Sequence, residues 1–135
     1  MTPVKEIGNY AFSGCNGFSE FDFHTLSKIG NNAFASCRNL SSIHIPGSVK
    51  TISKEAFVGC VSVTSIQIDE GVEHILASAF EACFEATELS LPNGLKTIGD
   101  NAFERLYALK SVVLPNTITS LGKEVFDDCE SLENV

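Results

Sequence analysis

The chain has 135 residues, 44% hydrophobic and 19% charged, which suits one packed domain and excludes a disordered tail. Seventeen Asp and Glu against nine Lys and Arg leave a net charge of −8, without the basic face that nucleic acid or an anionic membrane requires. No apolar run approaches the ~18 residues of a membrane span, and residues 1–20 do not carry the pattern of a secretory signal.

Five cysteines exclude full internal pairing, and their positions say more than their number. Cys15, Cys37, Cys60, Cys83 and Cys129 are separated by 22, 23, 23 and 46 residues, with Leu106 in the skipped place. Phe12, Phe34, Phe57, Phe80, Phe103 and Phe126 repeat in step, five of them after Ala and the last after Val125. A fixed period in this range marks a repeat architecture, here a single domain of about six units over residues 1–135.

Each unit opens on an apolar pair three residues apart: Val4/Ile7, Leu26/Ile29, Val49/Ile52, Val72/Ile75, Leu95/Ile98 and Ile118/Leu121. This piece is predicted to be short and extended. The next stretch, residues 54–60 in the third unit, has apolar residues at i, i+1 and i+4, which predicts one or two helical turns too short to stand alone. An apolar-x-apolar pair follows (Phe21/Phe23, Ile43/Ile45, Ile66/Ile68, Leu89/Leu91, Val112/Leu114), and its period of two predicts a strand. Pro46, Pro92 and Pro115 end that strand for want of an N–H, and Gly47-Ser48, Asn93-Gly94 and Asn116-Thr117 turn the chain. The first unit is one residue short between Phe23 and Leu26.

One unit cannot fold alone. Its apolar side chains, about eight in number, contribute roughly 1.5–3 kcal/mol each when buried. Ordering its backbone costs on the order of 1–2 kcal/mol per residue. The units must therefore stack and share a core, as in a solenoid.

The Ala-Phe-x-x-Cys and Ile-Pro or Leu-Pro signatures, repeated across residues 4–135, resemble the BspA-like leucine-rich repeat. The resemblance implies a right-handed leucine-rich-repeat solenoid, a β/α superhelix. It implies a parallel concave sheet of short strands and a convex side of short strands and short helical turns. It also implies a bacterial or protist surface or secreted protein, often tied to adhesion, with no shared catalytic residues. Leu106 for Cys, Val125 for Ala and Asp69-Glu70 for Pro and its follower depart from the pattern. The chain begins within one repeat and ends within another, so it is read as a segment of a longer protein or one that associates end to end.

Residues flanking the buried strand pair point to the concave face and form three columns. The first holds Glu20, Ser42, Ser65, Glu88 and Ser111; the central one Asp22, His44, Gln67, Ser90 and Val113; the last His24, Pro46, Asp69, Pro92 and Pro115. Glu20, Asp22, His24, Ser42, His44, Ser65, Gln67, Asp69, Glu88 and Ser90 are the candidate partner-binding residues. The six phenylalanines and five cysteines are core, the cysteines filling the apolar slot that Leu106 also fills. Metal binding and disulfides are disfavoured, since no CxxC pair exists and parallel stacked side chains seldom meet the bridging geometry.

His24 and His44 are placed near Asp22 and read as solvated polar residues, and Asp69-Glu70 with Glu88 and Glu73 reads as a solvated turn, with an acidic notch as the alternative. A set of Ser42 or Ser65 with His44 and Asp22 can be drawn, but there is no Gly-x-Ser-x-Gly elbow and a flat sheet offers no water-excluding cleft. The reading is a non-enzymatic module with no cofactor, binding protein or glycan, including matrix or another cell's surface, from an extracellular setting. An intracellular adaptor and a structural spacer are the alternatives.

Overall fold

The computed structural model describes residues 3–133. Among the described residues nine short strands build two parallel sheets. The first sheet runs β1 (Glu6–Ile7), β2 (Lys28–Ile29), β4 (Thr51–Ile52), β6 (His74–Ile75), β8 (Thr97–Ile98) and β9 (Ser120–Leu121). The second runs β3 (Ser42–Ile45), β5 (Ser65–Ile68) and β7 (Glu88–Ser90). Each strand pairs with its counterpart one repeat away, as in Ile52↔Ile75 and Ile43↔Ile66. The chain is a parallel β-solenoid, one coil per repeat.

The expected helical turns are not helices; the described residues contain none. In residues 55–60 the N–H groups alternate in direction. Those of Glu55, Phe57 and Gly59 donate to the carbonyls of Ala77, Ala79 and Glu81 in the next coil, at 3.0, 2.8 and 2.8 Å. Those of Ala56, Val58 and Cys60 donate three residues back within their own coil, at 3.2–3.3 Å. Left-handed residues at Glu55 (φ 56°) and Gly59 (φ 73°) permit this alternation, and they recur four apart in every coil, as at Asn32/Ser36 and Asn101/Arg105. A left-handed non-glycine residue costs roughly 1–2 kcal/mol, so the conformation persists only because tertiary contacts impose it. The segment is a third ladder between coils. Its apolar spacing of i, i+1 and i+4 fits this turn as well as a helix, which is why the spacing misleads.

The proline column limits the longer-stranded sheet. Pro46, Pro92 and Pro115 have no N–H for the preceding coil, whereas Asp69, in the same column, donates to Ile45 O at 3.0 Å. Pairing is therefore fullest between β3 and β5. Residues 21–23 and 112–114, expected as strands, are irregular, with only an isolated bridge at Ser111. The residue missing from the first unit is absorbed at the turn: Leu26 N–H bonds Phe23 O, where Val49 N–H bonds Pro46 O. Gly47 sits under the next coil, and a Cβ there would overlap the Glu70 carbonyl oxygen.

A phenylalanine stack fills the centre. Phe34, Phe57, Phe80 and Phe103 are fully buried, their ring centroids 5.2–5.4 Å apart and their planes within 4° of parallel. That spacing exceeds the ~4.8 Å between strands, as offset stacking requires. Phe12 and Phe126 extend the stack and are half-buried at its ends. The small Ala33, Ala56, Ala79 and Ala102 lie buried beside the rings, and their carbonyls accept the N–H of the previous coil's phenylalanine.

Phe57→Ala removes a ring with stacked neighbours on both sides and is expected to cost about 3–5 kcal/mol in urea unfolding. Phe126→Ala, at a half-buried end with one stacked neighbour, is expected to cost less.

Candidate binding face

The three columns lie where the strand period puts them. Ser42 and His44 stand out of β3, Gln67 out of β5, and Glu88 and Ser90 out of β7, all exposed, while Ser65 is half-buried. Glu20, Asp22 and His24 are exposed on the irregular first coil, and Asp69 is half-buried after β5.

His24 pairs with Asp22 as the sequence places it, and His44 does not. His24 Nδ1 lies 2.6 Å from Asp22 Oδ1, and the His24 N–H donates to the same oxygen at 3.1 Å. These bonds hold the Asp22 carboxyl below its usual range. His44 turns instead to the next coil, its Nε2 2.8 Å from Asp69 Oδ2. Gln67 Nε2 donates to the other oxygen of Asp69 at 3.1 Å. Side-chain direction, not column position, decides the partner. Both rings are thus engaged by aspartates, and neither bonds Ser42 or Ser65.

The two pairs rim a hollow of about 210 Å³ floored by Phe21, Phe23 and Pro46. Pro46 stands in the last concave column, whereas Phe21 and Phe23 read from the sequence as the buried strand pair. The acidic notch is smaller than expected: Asp69 is taken up by His44 and Gln67. Glu73 pairs with Lys96 at 3.2 Å on the short-strand side, a contact that lowers its pKa. His74 also belongs to that side, its Nδ1 2.8 Å from Thr97 Oγ1.

The columns carry Glu20, Asp22, Asp69 and Glu88 and no Lys or Arg, while all nine Lys and Arg residues fall outside them among the other thirteen acids. An acidic trio unforeseen from the sequence, Glu104, Glu124 and Asp127, lies on the turn ladder, with Asn101 Nδ2 donating to Glu104 at 2.8 Å and to Glu124 at 3.3 Å. The 23-residue offsets Asn101 to Glu124 and Glu104 to Asp127 were its only trace.

The cysteines are all free. Cys37, Cys60 and Cys83 are buried, and Cys15 and Cys129 half-buried. Each of Cys37, Cys60, Cys83 and Cys129 points its thiol at a phenylalanine carbonyl of an earlier coil: Phe12, Phe34, Phe57 and Phe103, at 3.2, 3.2, 3.6 and 3.2 Å. Phe80 O lacks this contact because Leu106 occupies the slot. Burial pushes three of the thiols up, Cys37 to about 11, Cys60 to about 12 and Cys83 well above its ordinary value. They are protonated spacers, not nucleophiles.

A raised folded pKa means the folded state keeps a proton that the unfolded chain releases. The associated stability is complete below about pH 9 and falls as pH climbs toward 12, by roughly 1.4 kcal/mol per pH unit for a fully buried thiol. Alkaline unfolding is therefore expected to begin above pH 9. Cys60 and Cys83 are expected to resist a thiol reagent at pH 8 until denaturant is added, as followed by mass spectrometry.

Comparison with known proteins places these features in a family. Residues 4–134 match six copies of the BspA type leucine rich repeat region. A leucine-rich repeat protein from Bacteroides ovatus superposes with a TM-score of 0.80 at 29% identity, over 96% of this chain and 40% of that one. The T. pallidum leucine rich repeat protein gives 0.75 at 28% identity, over 96% and 50%. A leucine rich cell surface protein from Faecalibacterium prausnitzii gives 0.70 at 23%, over 96% and 44%. The chain thus spans half or less of the length of each of these relatives. Among curated proteins no match is found. With its period, its parallel sheets and its six matched repeats, the chain belongs to the BspA-type leucine-rich-repeat family.

Proposed function

We propose that the chain is a non-catalytic protein-binding module of a cell-surface or secreted protein, and that its partner sits on the face of β3, β5 and β7. The observation that carries this reading is the single sign of the face, which presents Glu20, Asp22, Asp69 and Glu88 and no Lys or Arg. A face of one sign steers a partner of the other and fixes its orientation. The leucine-rich-repeat family is generally non-catalytic, and both histidines are committed to aspartates rather than to a serine. The surface setting follows the family.

The test is capture of matrix proteins and of source-cell lysate by the wild type and by a triple Asp22→Ala, His44→Ala, Gln67→Ala variant. All three side chains are exposed and each makes a surface hydrogen bond or ion pair, so each change should alter stability by no more than about 1 kcal/mol. A matrix protein held by the wild type and weakened about tenfold or more in the variant, a loss of roughly 1.4 kcal/mol, is the expected result. A cytosolic partner with the same loss favours an adaptor. Equal capture by both forms rules out this face, and no capture leaves a spacer.

A further inference from the structure

The hollow across the first three coils has a lining with one chemical character. Opposite an ionised carboxylate, the bonded ring nitrogen carries the proton: Nδ1 of His24 toward Asp22, and Nε2 of His44 toward Asp69. In the neutral ring the other nitrogen is then an acceptor, Nε2 of His24 and Nδ1 of His44. The remaining carboxylate lone pairs of Asp22 and Asp69 are acceptors too. Gln67 Nε2 gives one N–H to Asp69, and Gln67 is not among the residues that line the hollow. The rim therefore offers acceptors and two negative charges, above an apolar floor of Phe21, Phe23 and Pro46.

A complementary group must be a pure donor, cationic and flat enough to lie on an aromatic floor. A guanidinium meets all three demands, having five N–H donors, no acceptor and a planar face that stacks on rings. A sugar hydroxyl both donates and accepts, so its acceptor lone pairs would find no partner here. We propose that this hollow is the anchor pocket for an arginine side chain of the partner protein, held by Asp22 and Asp69 with Phe21 beneath it. The inference rests on the face of β3, β5 and β7 being the binding face, and it adds the chemistry of the residue recognised there.

The chain's three histidines provide the readout, since His24 and His44 rim the hollow and His74 lies on the other sheet. The intact chain is titrated with N-acetyl-Gly-Arg-Gly-amide by NMR at about pH 7.5, above the ordinary imidazole range of roughly 6.5. The ring resonances of His24 and His44 are expected to move together and saturate while those of His74 stay in place. The matching lysine peptide is expected to bind more weakly.

The isosteric Asp22→Asn, Asp69→Asn double variant is expected to bind the arginine peptide at least tenfold more weakly, with an unshifted His74 signal reporting an intact fold. Glu20→Gln with Glu88→Gln, which changes the field of the face but not the hollow, is expected to cost only a few-fold. An equal loss in the two variants overturns the pocket and leaves the binding face standing. No movement of His24 and His44 with the arginine peptide overturns it, as does movement with maltotriose in its place. Partner capture that ignores the central column, alongside saturable arginine binding in the hollow, refutes the proposed face instead.

Discussion

Everything in this solenoid depends on one constraint: in the turn of each coil, alternate N–H groups must leave for the next coil. Glu55, Phe57 and Gly59 donate outward while Ala56, Val58 and Cys60 close the turn on themselves. The period of 23 residues follows from this, because three ladders must come into register at once. The left-handed pairs, the phenylalanine stack and the small alanines beside it are consequences. Each phenylalanine lies between two left-handed residues, and each alanine leaves its carbonyl open to the phenylalanine N–H of the preceding coil. Local strain is accepted in each turn because the neighbouring coil imposes the geometry.

The candidate site arises where the repeat departs from itself. Proline closes the longer-stranded sheet in three coils, and Asp69 replaces it in one. That replacement has two effects. Its N–H adds a rung to Ile45, which firms the pairing of β3 with β5. Its carboxylate reaches back to His44, which turns a flat column into one wall of a hollow. The irregular first coil supplies the other wall, with His24 folded onto Asp22 above Phe21 and Phe23.

What was legible in the sequence is what periodicity encodes. The phenylalanine and cysteine columns, the strand pair, the proline stops and the outward-facing columns all follow from counting, and the substitutions at Asp69 and Leu106 stood out against the repeat. Counting does not fix backbone handedness, so the alternating turn of residues 55–60 read as helix. Nor does it fix rotamers: His44 was placed beside Asp22, two residues off in column terms from its actual partner Asp69. The cysteine slot reads as apolar, and the contact of four of the five thiols with a carbonyl of an earlier coil needs coordinates to appear.

The most direct test of the alternating turn is the through-bond coupling across hydrogen bonds in an isotopically labelled sample. The account predicts a coupling from the Phe57 nitrogen to the carbonyl carbon of Ala79, in the next coil. A coupling from that nitrogen to Ser53, four residues back, is what a helix produces, and it would contradict the account.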